Sequence, residues 1–139
     1  MNVQRYLIGS IVVFIFIFLA EWIFHGLIMN SFYDQAKQLM RPETGSAACI
    51  IWMIIGFLLM AFGFCFIFTK GYENKGIGEG IRFGLYVAIT FSVSASLIGY
   101  SVYPYPVSWV IGWIIGEPII AIISGILIAA IYKPKAAQA

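Results

Sequence analysis

Residues 107–132 read VSWVIGWIIGEPIIAIISGILIAAIY, an apolar run of membrane-spanning length that carries one carboxylate, Glu117, and one helix-breaking proline, Pro118. A transmembrane helix needs roughly 20 apolar residues. A charge near the bilayer centre costs at least ~2.5–3.5 kcal/mol on insertion scales, so Glu117 must be protonated, paired or turned toward a wet cavity. Pro118 has no amide hydrogen and crowds the carbonyl of Ile114, which loosens the turn beside the carboxylate. The stretch therefore puts the chain in a membrane and marks one of its helices as holding a site.

Composition agrees with the first inference. The chain is 62% hydrophobic and 10% charged, with a mean hydropathy of +0.96, values outside the range of soluble globular domains. Three further apolar runs, Tyr6 to Met29, Ala47 to Thr69 and Gly80 to Val102, precede the one from Val107 to Tyr132. The expected fold is all-α, a polytopic four-transmembrane-helix bundle occupying residues 1–139 as a single domain in the lipid bilayer. A net charge of +2 does not point to nucleic acid. Arg5, Lys70, Lys75, Arg82, Lys133 and Lys135 fall on one side of the predicted topology and only Lys37 and Arg41 on the other. That bias predicts that the N- and C-termini are cytoplasmic. A cleaved signal peptide is the rival reading of the N-terminus, but the run is too long, lacks a small-x-small cleavage site and contains Glu21. Cys49 and Cys65 stand ~24 Å apart along one helix, too far for a disulfide or a shared metal.

The polar residues inside the spans are few enough to weigh singly. Glu21 and His25 are spaced i, i+4 and share a helix face. They read either as a buried polar pair holding helices together, or as a proton relay, a metal or cofactor ligand pair, or a substrate site. The second E-x-x-H and the further glutamates of a di-iron bundle are missing. The connection Asn30 to Ser46 predicts a short interfacial helix over Tyr33 to Met40, with Phe32, Tyr33, Leu39 and Met40 touching lipid. It is long enough for a lid, although a solvated connector is the simpler reading. Gly76-Ile77-Gly78-Glu79-Gly80 matches no phosphate-loop pattern and follows no strand.

Small residues set the expected packing. Cys49, Gly56 and Gly63 recur once per heptad in the second run and suit a close seam. Gly76, Gly80, Gly84, Ala88, Ser92 and Ser96 recur every fourth residue in the third, a row fit for two neighbouring helices or a second copy of the chain. Gly112 and Gly116 admit another close neighbour. Ser94 could serve a ligand, although membrane serines most often bond their own backbone. Counting 1.5 Å per residue from the helix ends puts Glu21, Ser94 and Glu117 in one layer ~13–17 Å deep. Trp52, Trp113 and Tyr100 occupy the same half. The expectation is an outward-facing polar pocket in which Glu21, His25 and Glu117 converge, with Ser94, Trp113, Trp52 and Tyr100 around them, floored by apolar packing.

The Trp22/Gly26/Tyr33 pattern closing the first run, and Gly78-Glu79-Gly80-x-x-x-Gly84 opening the third, resemble small four-helix bacterial inner-membrane proteins of unknown function. The resemblance implies a four-helix membrane fold in the bacterial inner membrane and transfers no functional residues. Three function classes follow from the residues. A protein that binds or transports a small molecule or ion with proton coupling would use Glu21, His25 and Glu117, with Pro118 as a break. An accessory or assembly subunit, in a homo-oligomer or a larger membrane complex, would use the small-residue row for docking, and there His25 could ligate a metal or haem. A membrane enzyme fits least, because the sequence shows neither a nucleophile–base pair nor a full metal set.

Overall fold

A computed structural model describes residues 1–43 and 45–133. Pro134 and Lys135, which entered the expectations about the last helix end and the topology, lie outside the described residues. Four helical spans run Val3–Ile28, Ala47–Lys70, Ile77–Val102 and Val107–Ile131, each long and apolar enough to cross a bilayer. Among the described residues there is no strand. The chain is a multi-pass α-helical membrane protein.

The first span shows how sequence becomes packing. Asn2 caps it, its side chain accepting from the Arg5 amide at 3.3 Å. Ser10, Val13, Ile17, Glu21 and Phe24 are buried, while Leu7, Ile11, Ile15 and Leu19 are exposed. Spacings of three and four give one inward stripe, and the remaining surface is left to lipid. Glu21 therefore lies inside because of its register with Val13 and Ile17.

Both ends of the described chain meet at one end of the bundle, where Asn2 Nδ2 donates to the Lys133 carbonyl at 3.1 Å. We refer to this as the termini end, and to the opposite end, which carries the 29–46 and 103–106 connections, as the loop end. Across the bundle the spans are ordered second, first, fourth, third. The third and fourth spans form the tightest pair. A Cβ on Gly80 would strike the Gly125 carbonyl, and one on Gly84 would strike the backbone of Ala121 and Ile122. The Gly80 and Gly84 part of the small-residue row is thus spent within the chain, as a backbone-to-backbone contact with the fourth span. Gly112 receives the side chain of Met29, just past the first span, and Gly116 that of Phe24 within it.

The second span departs from the expected seam. Gly56 and Gly63 face nothing within 4 Å. Ala61, Phe64, Cys65 and Phe68 are the buried face instead, the side on which this helix packs chiefly against the first span. Its link to the third is aromatic and lies at the termini end. Phe83 meets Phe64 and Phe68 with ring centroids 4.7 and 5.3 Å apart, and Tyr132 closes over Phe68 and Tyr72. That end of the bundle is sealed.

Glu79 is buried for a structural reason. Its two carboxylate oxygens accept the Glu73 amide at 2.7 Å and the Lys75 amide at 2.8 Å, stapling the 71–76 turn to the start of the third span. A glutamine there would set an NH2 group against a backbone donor. Glu79→Gln is expected to lower stability by ~1.5–3 kcal/mol, the worth of charge-assisted bonds at a buried acceptor, read by thermal unfolding in detergent.

Candidate functional site

Two of the four spans pass into π-helical geometry around one point, and a third carries a proline beside it. The first passes into a π-helical segment at Phe24–Ile28, closed by the Met29 amide donating to the Phe24 carbonyl at 2.8 Å. The third does the same at Ala88–Val93, where the Ser94 hydroxyl donates to the Ile89 carbonyl at 2.9 Å. The fourth carries Pro118. Such segments leave backbone carbonyls to be satisfied by other groups and recur at functional sites. Here they surround a cluster of side chains.

Glu21, His25 and Glu117 converge. His25 Nε2 lies 3.1 Å from Glu21 Oε2 and 3.3 Å from Glu117 Oε1. Glu21 is only 7% exposed, so its carboxyl depends on these neighbours. The π segment turns His25 toward Glu117, while its i, i+4 spacing keeps it beside Glu21. On its other side, His25 Nδ1 is hydrogen-bonded to the Tyr33 hydroxyl, and Tyr33 accepts from Trp113 Nε1 at 2.9 Å. Burial pushes the Tyr33 phenol up to about 12, so it keeps its proton at neutral pH. With the indole occupying one lone pair, the economical assignment for neutral His25 has Tyr33 donating to Nδ1 and Nε2–H facing the two carboxylates. Both imidazole nitrogens already face protein groups, an arrangement unlike an axial haem ligand.

Tyr33 reaches the cluster because the first connection folds back over the bundle. Residues Asn30–Tyr33 form one α-helical turn, and Asp34–Leu39 a 3-10 segment broken at Ala36, whose φ is −140°. Buried Met29 and Ala36 pin it from below. Trp109 Nε1 donates to the Phe32 carbonyl at 2.8 Å, and the Tyr33 ring meets Trp109 edge-on at 4.9 Å. The segment is therefore a latched cover, and Tyr33 points into the site where lipid contact was expected. Trp109→Phe keeps the ring packing but removes the indole donor. We expect a loss of ~1 kcal/mol and faster amide exchange over 30–40, measured by hydrogen–deuterium exchange.

Three spaces adjoin the cluster. A chamber of about 540 Å³ beneath the cover is lined by His25, Asn30, Tyr33, Asp34, Lys37 and Arg41 among others, and approaches from the loop end. A recess of about 190 Å³ is lined by His25, Ser92, Ser96, Trp113 and Glu117. A cleft of about 260 Å³ opens sideways between the second span and the third and fourth. Glu21, Gly63, Phe91, Glu117 and Ser124 are among its walls. A larger groove, about 740 Å³, runs between the first and fourth spans and is almost wholly apolar.

Of the residues expected at the site, Glu21, His25, Glu117 and Trp113 come together. Ser94 does not join them, since its hydroxyl is turned onto its own helix. Trp52 is 73% exposed and Tyr100 is 47% exposed, and neither lines a space that contains the cluster. Ser92 and Ser96, expected only to pack, face the recess instead. Comparison of the chain with protein families, with curated proteins and with solved structures finds no match.

Proposed function

We propose that this chain is a bacterial inner-membrane protein that binds, and in a membrane exchanges, a small cationic solute at Glu21, His25 and Glu117. The observation that carries the reading is the convergence of two carboxylates and an imidazole at the foot of a polar chamber, inside an otherwise apolar bundle. Intramembrane ionisable groups are costly and mark ion or substrate pathways. Proton coupling follows from the chemistry of the ligands, because a carboxylic acid or an imidazolium must give up its proton to hold a cation. The basic residues at the termini and in the 70–82 region support cytoplasmic termini, which directs the chamber outward. The resemblance to small four-helix inner-membrane proteins supports the location.

Passage would require the sealed termini end to open, and the two π segments with the proline turn beside the cluster supply the deformable level for that. The test is a vesicle assay with a trapped pH dye. An imposed gradient of cation should move protons in the wild type and not in Glu117→Gln. A wild-type protein that is folded, reconstituted and indifferent to every cation gradient removes the reading.

A second reading rests on a different feature. The apolar groove along Phe16, Ile23, Ile115 and Ile119 fits a transmembrane helix of another subunit, which supports an accessory role in a larger complex or a homo-oligomer. Bulky replacement at Ala20, on the groove wall, should then abolish co-purification of a partner while leaving cation exchange intact.

A further inference from the structure

We propose that the solute is a divalent first-row transition-metal cation, held by Glu21, His25 and Glu117 as three protein ligands with a further position open to the recess. This rests on the cation-binding reading above and names its substrate class. The argument is geometric. The ligating atoms all lie within 4.8 Å of one another, and His25 Nε2 is 3.1 and 3.3 Å from the two carboxylates. Bonds of ~2.0–2.2 Å in a tetrahedral centre put neighbouring ligand atoms ~3.3–3.6 Å apart, so the two His25–carboxylate spacings already suit an ion and the two carboxylates need at most about an ångström of adjustment toward each other.

Charge and ligand chemistry agree. Two carboxylates neutralise a divalent cation inside an otherwise apolar bundle. One imidazole among oxygens suits Zn2+, Co2+, Fe2+ or Mn2+ better than Mg2+ or Ca2+, which prefer oxygen alone. The surroundings of His25 are those of a metal ligand, because its second nitrogen is held by Tyr33, itself held by Trp113. Partners of this kind fix the ring and its tautomer. On binding, neutral His25 changes tautomer: its single ring proton moves from Nε2 to Nδ1, Nε2 turns its lone pair to the ion, and the Tyr33 hydroxyl turns from donor to acceptor. His25 and Glu117 both face the recess that holds Ser92 and Ser96, which leaves room there for a water or an incoming ligand. The polar chamber provides the approach. The ionisable and charged groups that face His25 are Glu21 from its own span, Glu117 from the fourth, Tyr33 in the cover, and Asp34, Lys37 and Arg41 in the chamber. The third span contributes only serines here, and the second only apolar side chains and Gly63.

The experiment is a Co2+ titration of chelator-treated protein in detergent. Visible ligand-field absorption is read first, followed by competition with Zn2+. A saturable four- or five-coordinate Co2+ spectrum is expected, reversed by Zn2+, stronger at higher pH, and lost in His25→Gln. Tyr33→Phe keeps every ligand and should weaken binding ~10–100-fold. Helical circular dichroism checks that each variant is folded. If His25→Gln does not fold, Tyr33→Phe carries the same decision. The proposal is overturned if folded wild type gives no saturable spectrum, or if the spectrum persists unchanged in both variants. If Co2+ and Zn2+ fail to bind while a monovalent or organic cation still drives proton movement in vesicles, the metal assignment falls and the broader reading stands. If both assays are silent, both fall.

Discussion

Gly84→Leu, and Gly80→Leu with it, should abolish the folded bundle, whereas Gly56→Leu and Gly63→Leu leave its stability within about 0.5 kcal/mol of wild type. At Gly84 the new side chain would run into the Ala121 carbonyl and the Ile122 backbone, and at Gly80 into the Gly125 carbonyl. Backbone of a packed helix cannot yield as the end of a flexible side chain can. Separating the two helices would also forfeit most of the contact between the third and fourth spans. Overpacking ordinarily costs ~1–3 kcal/mol, and a collision with backbone on both sides belongs at or beyond the upper limit. At Gly56 and Gly63 a Cβ meets nothing within 4 Å. Unfolding in micelles, by heat or by denaturing detergent, measures all four. A Gly84→Leu protein as stable as wild type would mean that the third and fourth spans do not pack backbone to backbone.

The second large effect is expected at His25. His25→Ala leaves Glu21 and Glu117 facing each other with nothing between them, and Glu21 is nearly excluded from solvent. Removing one partner of a buried pair costs ~3–5 kcal/mol. With the His25 side chain 37% exposed, the cost should fall nearer ~2 kcal/mol. Replacing both carboxylates as well, in a Glu21→Gln/His25→Ala/Glu117→Gln triple variant, should recover most of that loss. The single variant is destabilised by stranded charge, which glutamines do not carry. If the triple variant unfolds as readily as His25→Ala, the cost comes from lost packing of the ring, and the carboxylates are not its source.

What the sequence made legible follows from what needs only one coordinate. The spans follow from length and hydropathy. Glu21 with His25 follows from i, i+4 spacing, and the level of Glu117 from a constant rise per residue. Depth does not fix azimuth, and that is where the reading failed for Trp52 and Tyr100, which share the half but face outward. Ser94 failed for a related reason. The π segment at Ala88–Val93 leaves the Ile89 carbonyl to the Ser94 hydroxyl, which turns back onto its own helix, and depth alone does not reveal that. The hydroxyl run Thr90, Ser92, Ser94 and Ser96 was the available signal, since such groups satisfy the carbonyls that an irregular turn sets free. Tyr33 could not be placed from local pattern, because its position depends on the reversal at Met29 and on the indoles of a span about 80 residues away. The second-span seam misled because recurrence of small residues permits close approach without requiring it. The buried face went to Ala61 and Cys65 instead.

The order of the spans across the bundle has a bearing on how the protein is made. The first and second spans are neighbours in sequence and in space, as are the third and fourth, and the two hairpins meet along the first and fourth. Glu21 and His25 belong to one hairpin and Glu117 to the other, so neither hairpin inserted alone owns a complete cluster. Until they dock, Glu117 sits in lipid without a partner and Glu21 has only its own helix neighbour, a state the bilayer penalises. Completing the polar cluster rewards the final docking step, because it brings Glu117 to His25, a partner that its own hairpin lacks.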